Sequence, residues 1–120
     1  AGVALDILEA VNSTTTKRIV VSIQNNGTLD FLRPDDVIEI SCDLSRDGLK
    51  PVTPVKVPTA QKNMIACVKE YERLAVAAIL QQDKSLAVRA LMAHPLIGSY
   101  SLAKTLVEAY LDDEQFAAWR

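Results

Sequence analysis

The sequence predicts an α+β fold in which a small antiparallel sheet is packed with several helices. Two short segments rich in β-branched residues, Arg18–Ile23 and Asp36–Cys42, predict a pair of antiparallel strands. Apolar residues at helical spacing in Val68–Leu96, and again near each end of the chain, predict the helices. With 120 residues, of which 49% are hydrophobic, the chain can bury a substantial core, so we expect a single domain spanning residues 1–120.

The first predicted helix carries an apolar face from its start and runs to about Val11, with Val3, Ala4, Ile7 and Leu8 on the same face. No Ser, Thr, Asp or Asn precedes it as a cap, since only Ala1-Gly2 comes before. We therefore expect the chain to be a fragment of a longer protein. The helix ends in a short polar run, residues 12–16, which predicts a surface loop.

The connection between the two predicted strands is too long for a two-residue hairpin, although Asn26-Gly27 within it is a strong turn signal. A loop of this length can carry a function. After the second strand, Asp47-Gly48 predicts another turn. Three prolines then predict an extended segment that crosses an edge of the sheet, in alternation with valines: Pro51, Pro54 and Pro58 with Val52, Val55 and Val57.

The central helical region divides in two. Its first apolar stripe consists of Met64, Cys67, Val68, Tyr71, Leu74, Ala75 and Ala78, and residues 81–83 interrupt it. Asp83 is placed to cap a second helix, which His94-Pro95 ends because the residue before proline avoids the α region. A last amphipathic helix contains Leu102, Leu106, Val107, Tyr110 and Leu111, and we expect it to run on through Phe116 and Trp119.

Charge and cysteine content narrow the class of protein. The net charge of -2 and the pI near 5.3 give no electrostatic reason to expect nucleic acid or an anionic membrane as a partner. No run reaches the ~18 apolar residues of a membrane helix. Cys42 and Cys67 cannot form a disulfide scaffold, and their sparseness predicts a reducing, cytoplasmic location.

The residues able to support catalysis are scattered. His94, Cys42 and Cys67 lie far apart in sequence, so we expect no metal site; the histidine fits a helix C-terminal cap, where its ring can bond the last carbonyls, and both cysteines fit small buried hydrophobes. No glycine-rich phosphate loop or nucleophile elbow occurs. The candidate carboxylates fit turns or a solvated surface: Asp35, Asp36, Glu39, Asp112, Asp113 and Glu114. We predict no catalytic, cofactor-binding or metal-binding residue in the chain.

Several of these segments together resemble the C-terminal part of the family 4 glycoside hydrolases, especially the 6-phospho-β-glucosidases. The likeness spans about residues 4–109. Its specific parts are VVSIQNNGTLDFLRPDDVIEI, Gly48 with Pro51, Val57-Pro58, YERLAVAA and ALMAHPLIGS, in that order. Within them, the family's strand pattern falls on Leu32, Asp35, Val37, Ile38, Glu39 and Ile40, and its later motifs fall on Tyr71-Glu72, Leu74 and His94-Pro95-Leu96.

The resemblance implies the C-terminal domain of an enzyme with a lactate/malate dehydrogenase-like fold. It implies NAD and Mn²⁺ as cofactors of the full-length enzyme, a phosphorylated β-glucoside as substrate, and hydrolysis by transient hydride transfer, elimination of the aglycone and addition of water. The family's metal ligands, catalytic tyrosine and cofactor loop lie upstream of the matched segment. None falls on Tyr71, Tyr100, Tyr110, Cys42, Cys67 or His94, so the fragment alone should be inactive.

The resemblance also implies two partners: the missing N-terminal dinucleotide-binding domain and other copies in a homo-oligomer. Asn25, Asn26 and Gly27 form either a turn requiring positive φ or one edge of the substrate pocket. Ser22 and Arg33-Pro34 depart from the family pattern and leave the substrate type open. Two alternatives remain: a family 4 α-galactosidase or α-glucuronidase, and a non-catalytic helical interaction module.

Overall fold

The computed structural model describes residues 2–54 and 56–119. It forms two compact units, residues 1–57 and 58–120. The first contains one helix and three strands, and the second is helical. The predicted α+β class, with a small antiparallel sheet and several helices, is confirmed. A single domain spanning residues 1–120 stays a prediction.

The first unit begins with helix α1 (Gly2–Asn12), followed by strands β1 (Lys17–Gln24), β2 (Val37–Ser45) and β3 (Gly48–Pro51). The strand order is β1-β2-β3. As predicted, β1 and β2 are antiparallel, with a register running from Lys17 opposite Leu44 to Gln24 opposite Val37. The predicted turn at Asp47-Gly48 leads from β2 into β3, with Ser45 opposite Gly48.

The prolines after this turn predicted an extended segment that crosses an edge of the sheet. The first of them, Pro51, is instead the last residue of the short strand β3. Pro51, which has no N–H group, lies on this edge strand, the position in a sheet that tolerates proline. The Val52 N–H continues the pairing with a 2.9 Å hydrogen bond to the Ser41 carbonyl. Val55, part of the predicted alternation, lies outside the described residues.

The two faces of the sheet follow the alternation read from the sequence. On β2, Ile38 and Cys42 are buried, whereas Val37 and Glu39 on the opposite face are exposed. Helix α1 contributes Ala10 to a small core with Ile19 and Leu44, which Val21 borders. The ammonium of Lys17 ties β1 to α1 through Glu9 at 3.0 Å and Asp6 at 3.8 Å. On the polar face, Arg18 bonds both carboxylate oxygens of Asp43 at 2.8 and 2.9 Å.

The second unit contains helices α2 (Thr59–Gln81), α3 (Lys84–Ala93) and α4 (Tyr100–Tyr110). The break predicted at residues 81–83 is confirmed, with Gln82 in the left-handed region at φ 52°. The Asp83 carboxylate caps α3 by accepting a 3.0 Å hydrogen bond from the Leu86 N–H, as predicted. His94 ends α3 in an extended conformation, also as predicted. Ser99 caps α4 through the Leu102 N–H.

The predicted continuation of the last helix through Phe116 and Trp119 is wrong. Helix α4 ends at Tyr110, and a separate 3₁₀ helix (Glu114–Phe116) follows. The reason is local, because the Asp113 side chain accepts a 3.0 Å hydrogen bond from the Gln115 N–H and so begins a new turn. Aspartate favours such caps over helix interiors.

The predicted stripe on α2 is correct only toward its C-terminal end. Ala78 is buried, but Met64 is 63% exposed and Cys67 is exposed, so the prediction that Cys67 is a buried hydrophobe is wrong. Helix length explains the difference, because α2 has 23 residues and its neighbour α3 has 10. At ~1.5 Å per residue, α3 covers less than half of α2.

Candidate functional site

The loop that joins β1 to β2 holds the predicted site residues. Its two ends are tied together by backbone hydrogen bonds from the Asn25 N–H to the Asp36 carbonyl at 2.7 Å and from the Asn26 N–H to the Pro34 carbonyl at 2.9 Å. Loops of this size with closed ends and internal packing are frequently functional. The tie gives the loop a fixed shape at the end of the sheet.

The Asn25 side chain holds the interior of this loop. The residue is fully buried. Its amide nitrogen donates to the carbonyls of Leu29 at 3.0 Å, Arg33 at 3.0 Å and Leu32 at 3.4 Å. Its amide oxygen accepts from the Leu29 N–H at 2.7 Å. Both ends of the amide are therefore engaged by the loop backbone, and the side chain lies inside the loop.

Asn26 and Gly27 form the exposed turn of the loop. Both have positive φ, 44° for Asn26 and 85° for Gly27, which these residue types tolerate best. A Cβ added at Gly27 would meet nothing within 4 Å. The glycine is therefore required by backbone conformation and not by lack of space, and the space beside it is open.

Asp36 closes the loop at its second end. It is largely buried, and its carboxylate accepts a 2.9 Å hydrogen bond from the Arg33 N–H. This geometry agrees with the turn role predicted for it. Leu32, also buried, gives the loop an apolar anchor.

Sequence reasoning grouped residues 25–27 as one turn and missed the separate role of Asn25. The structure brings the three together but gives them opposite orientations, with one side chain inward and two residues at the surface. The residue type at position 25 could have indicated this role, because asparagine side chains readily hydrogen-bond nearby backbone groups in turns.

His94 lies apart from this loop, in the helical unit. Its ring packs edge-on against Tyr71 with centroids 4.8 Å apart. Its Nδ1 accepts a hydrogen bond from the Leu96 N–H at 3.3 Å. The ring therefore stabilises the turn after α3. This corrects the expectation that it bonds the last carbonyls of the helix.

The helical unit also contains a groove of about 640 Å³. Its described lining is apolar or aromatic and includes Tyr71, Ala78, Leu91, Val107, Phe116 and Trp119. Phe116 and Trp119 meet edge-on with centroids 6.2 Å apart. The described lining of the groove carries no charged side chain, and its polar side-chain groups are the hydroxyls of Tyr71 and Tyr110 and the indole N–H of Trp119.

The described residues show no side-chain group for a divalent metal ion and, at the start of the longest helix, no glycine-rich turn for a dinucleotide phosphate. Across residues 2–54 and 56–119 there is no group of three His, Cys, Asp or Glu side chains that could hold a metal ion. The longest helix, α2, begins after Pro58 with no side-chain cap and no glycine-rich turn. In the same part of the chain, none of the helices combines the length and apolar character needed to cross a bilayer.

Comparison with known proteins places this geometry in a family. Residues 2–97 match the family model of the family 4 glycosyl hydrolase C-terminal domain. The chain is 32% identical over 109 residues to the 6-phospho-beta-glucosidase BglT of Thermotoga maritima, covering 91% of the chain and 26% of the relative. It is 23% identical over 108 residues to the phospho-alpha-glucosidase PagL of Clostridium acetobutylicum, covering 90% and 24%.

A solved structure shares the fold. The 6-phospho-beta glucosidase from Thermotoga maritima, determined with manganese, NAD+ and glucose-6-phosphate, superposes with a TM-score of 0.78 at 31% identity, covering 94% of this chain and 28% of that one. The chain thus spans about a quarter of the length of these relatives. On the match over residues 2–97, this chain belongs to the family 4 glycosyl hydrolases, through their C-terminal domain.

Proposed function

We propose that this chain is the C-terminal domain of a longer 6-phospho-β-glucosidase that uses NAD and a divalent metal ion such as Mn²⁺. The observation that carries the choice of β over α is the identity of 32% to BglT against 23% to PagL, over segments of nearly equal length. The substrate class is a phosphorylated β-glucoside in the cytoplasm. Sparse cysteine, with Cys42 and Cys67 both free, supports that location.

The chain's own part in this function is structural. The described residues show no metal-ligand group, and α2 begins without a glycine-rich turn. On that support we assign NAD and the metal ion to an N-terminal dinucleotide-binding domain of the longer enzyme, and no chemical step to this chain. Its contribution to the substrate site is one edge of the sugar pocket at Asn26 and Gly27. The support is that these residues are exposed on a loop whose shape Asn25 fixes, and precise sites need such rigid backing.

The deciding experiment is a substrate panel on the full-length enzyme. It compares 6-phospho-β-glucosides, 6-phospho-α-glucosides and their unphosphorylated forms, with and without NAD and Mn²⁺. We expect activity on the phosphorylated β-anomers only, and only with both cofactors. A preference for the α-anomers, or for an unphosphorylated galactoside or glucuronide, would overturn the proposal.

The isolated chain supplies the complementary measurement. Calorimetric titration with NAD should give no binding heat, and the same substrates should remain uncleaved. A micromolar NAD site in this chain would contradict the proposal that NAD binds to the N-terminal domain.

The pocket edge is tested with Asn26→Ala in the full-length enzyme. We expect KM for the phosphorylated β-glucoside to rise several-fold with little change in kcat, because an edge contact contributes mainly to ground-state binding. The matched control is Asn12→Ala, an exposed asparagine whose side chain donates to the Leu8 carbonyl of its own helix. Equal KM values for the two variants would show that this loop does not form an edge of the substrate pocket.

A further inference from the structure

The outer edge of β1 is unpaired within the described residues. In the order β1-β2-β3, β1 has a sheet neighbour on one side only. Alternate N–H and C=O groups of an edge strand point away from its neighbour. No backbone hydrogen bond outside the ladder involves residues 17–24 in the described part of the chain. A row of donors and acceptors therefore faces outward along eight residues.

β1 lacks the features by which proteins usually protect a free edge. It pairs with β2 through eight consecutive residues, and it contains no proline. β3, the opposite edge, has four residues and ends with a proline. The cations of β1, Lys17 and Arg18, lie together at one end of the strand. Lys17 pairs with Glu9 at 3.0 Å and Arg18 pairs with Asp43 at 2.8 Å. Neither cation is therefore positioned to block pairing along the rest of the strand.

The apolar layer beside this edge is also incomplete. Helix α1 packs Ala10 onto Ile19 of β1 but leaves larger side chains in solvent. Val3, Leu8 and Val11 are 57%, 59% and 46% exposed. Clustered exposed apolar side chains of this kind on a folded unit generally mark a surface that is covered in the functional protein.

We propose that β1 accepts a further strand from the rest of the longer enzyme, extending the sheet to four strands. This inference rests on the part of the proposed function that makes the chain one domain of a longer enzyme. The chain covers only 26% of the length of BglT. A strand in the same polypeptide is the favoured occupant, because tethering gives it an effective concentration in the millimolar range. Its side chains would alternate, with apolar residues on the side of Ile19 and Val21 and polar residues on the side of Arg18.

Amide hydrogen exchange by NMR tests the added strand. The alternate amides of β1 that do not bond to β2 are compared in the isolated chain and in the full-length enzyme. We expect them to exchange at least about tenfold more slowly in the full-length enzyme, since a paired amide needs an opening event to exchange. The β1 amides that bond to β2 are the internal control and should be protected in both proteins. Equal exchange of the outer amides in the two would overturn the proposal.

A concentration series on the full-length enzyme distinguishes the tethered strand from a second copy. If protection of the outer amides grows with concentration, a second copy pairs along β1 and the proposal is overturned; protection by a tethered strand does not depend on concentration. The measurement needs no substrate, so the two proposals fail separately. A protected edge in an enzyme without glycosidase activity would reject only the function, and an active enzyme with an unprotected edge would reject only the strand.

Discussion

At the scale of single residues, Asn25 determines the shape of the β1–β2 loop. Four hydrogen bonds of its buried amide replace the regular ladder where the chain leaves the sheet. Buried polar groups must be paired, and here one side chain bonds the Leu29 N–H and the Leu32 carbonyl and adds a second donor to the carbonyls of Leu29 and Arg33. The left-handed turn at Asn26 and Gly27 depends on that support.

Asn25→Ala should destabilise the chain by about 1–3 kcal/mol, the usual cost of leaving buried backbone groups unsatisfied. Urea unfolding followed by circular dichroism measures the change. Gln24→Ala is the control, because Gln24 is the exposed neighbour at the end of β1. A loss for Asn25→Ala no larger than that of the control would mean that water or other groups satisfy the loop without the amide.

A second residue-scale prediction concerns pH. The hydrogen bond and charge of Arg18 hold the pKa of Asp43 below its ordinary value of 3.8. The folded state therefore binds the proton less tightly than the unfolded state, so the pair stabilises the fold above the ordinary pKa. That contribution is lost as the pH falls through the lowered, folded-state pKa. Its size is small because both groups are exposed.

NMR titration of the Asp43 carboxyl carbon should give a pKa below 3.8. In Arg18→Gln, the pKa should move back toward that value. Lys50→Gln, a change of an exposed cation on the neighbouring strand β3, should shift it less. An unchanged titration in Arg18→Gln would show that the bidentate contact does not persist in solution.

At the scale of elements, the helical unit is packed through small side chains. Ala78 of α2, Ala90 of α3 and Ala103 of α4 are each at most 2% exposed. Alanine at these contacts lets the helices approach closely, and Val107 adds a larger buried side chain on α4. Enlarging a buried alanine should therefore separate the helices.

Ala78→Leu should lower the free energy of unfolding by about 1–3 kcal/mol through overpacking. Ala66→Leu makes the same change at an exposed position of the same helix and should be close to neutral. Chemical denaturation of both variants checks the contrast. A neutral Ala78→Leu would imply that the apolar groove beside it absorbs the added side chain.

The cap at Asp83 gives a second prediction at this scale. Asp83→Ala should cost about 0.5–2 kcal/mol because the Leu86 N–H loses its acceptor, while Asp83→Asn keeps an acceptor oxygen and most of the stability. Thermal melts of the two variants measure the difference. Equal losses would assign the effect to the negative charge and not to the cap.

At the scale of the whole molecule, both units leave apolar side chains at the surface. The α1 face includes Val3, Ile7 and Val11, and α4 presents Leu102, Leu106 and Tyr110, all at least 36% exposed. In the first unit the buried core is a small cluster around Ala10, Ile19 and Leu44. These surfaces fit a chain that works in contact with more protein.

We predict that the isolated chain self-associates through these surfaces, most simply as a two-fold dimer. Sedimentation equilibrium should show a mass that rises above the 13.1 kDa of the monomer as concentration increases. Val3→Glu and Tyr110→Glu test the two faces separately, and the variant on the contact face should shift the mass back to the monomer. A strict monomer at high micromolar concentration would show that neither face associates in the isolated chain.

The sequence by itself determined the local structure and the family. The two strands, predicted at Arg18–Ile23 and Asp36–Cys42 and found at Lys17–Gln24 and Val37–Ser45, follow from neighbours a few residues apart. So do the break before α3 with its cap at Asp83 and the end of α3 at His94. Only the tertiary structure decided the rest. It turned Asn25 inward, set His94 against Tyr71 and left Cys67 exposed. A periodic pattern shows which side of an element is apolar, but burial depends on which distant element lies over it and how far that element reaches.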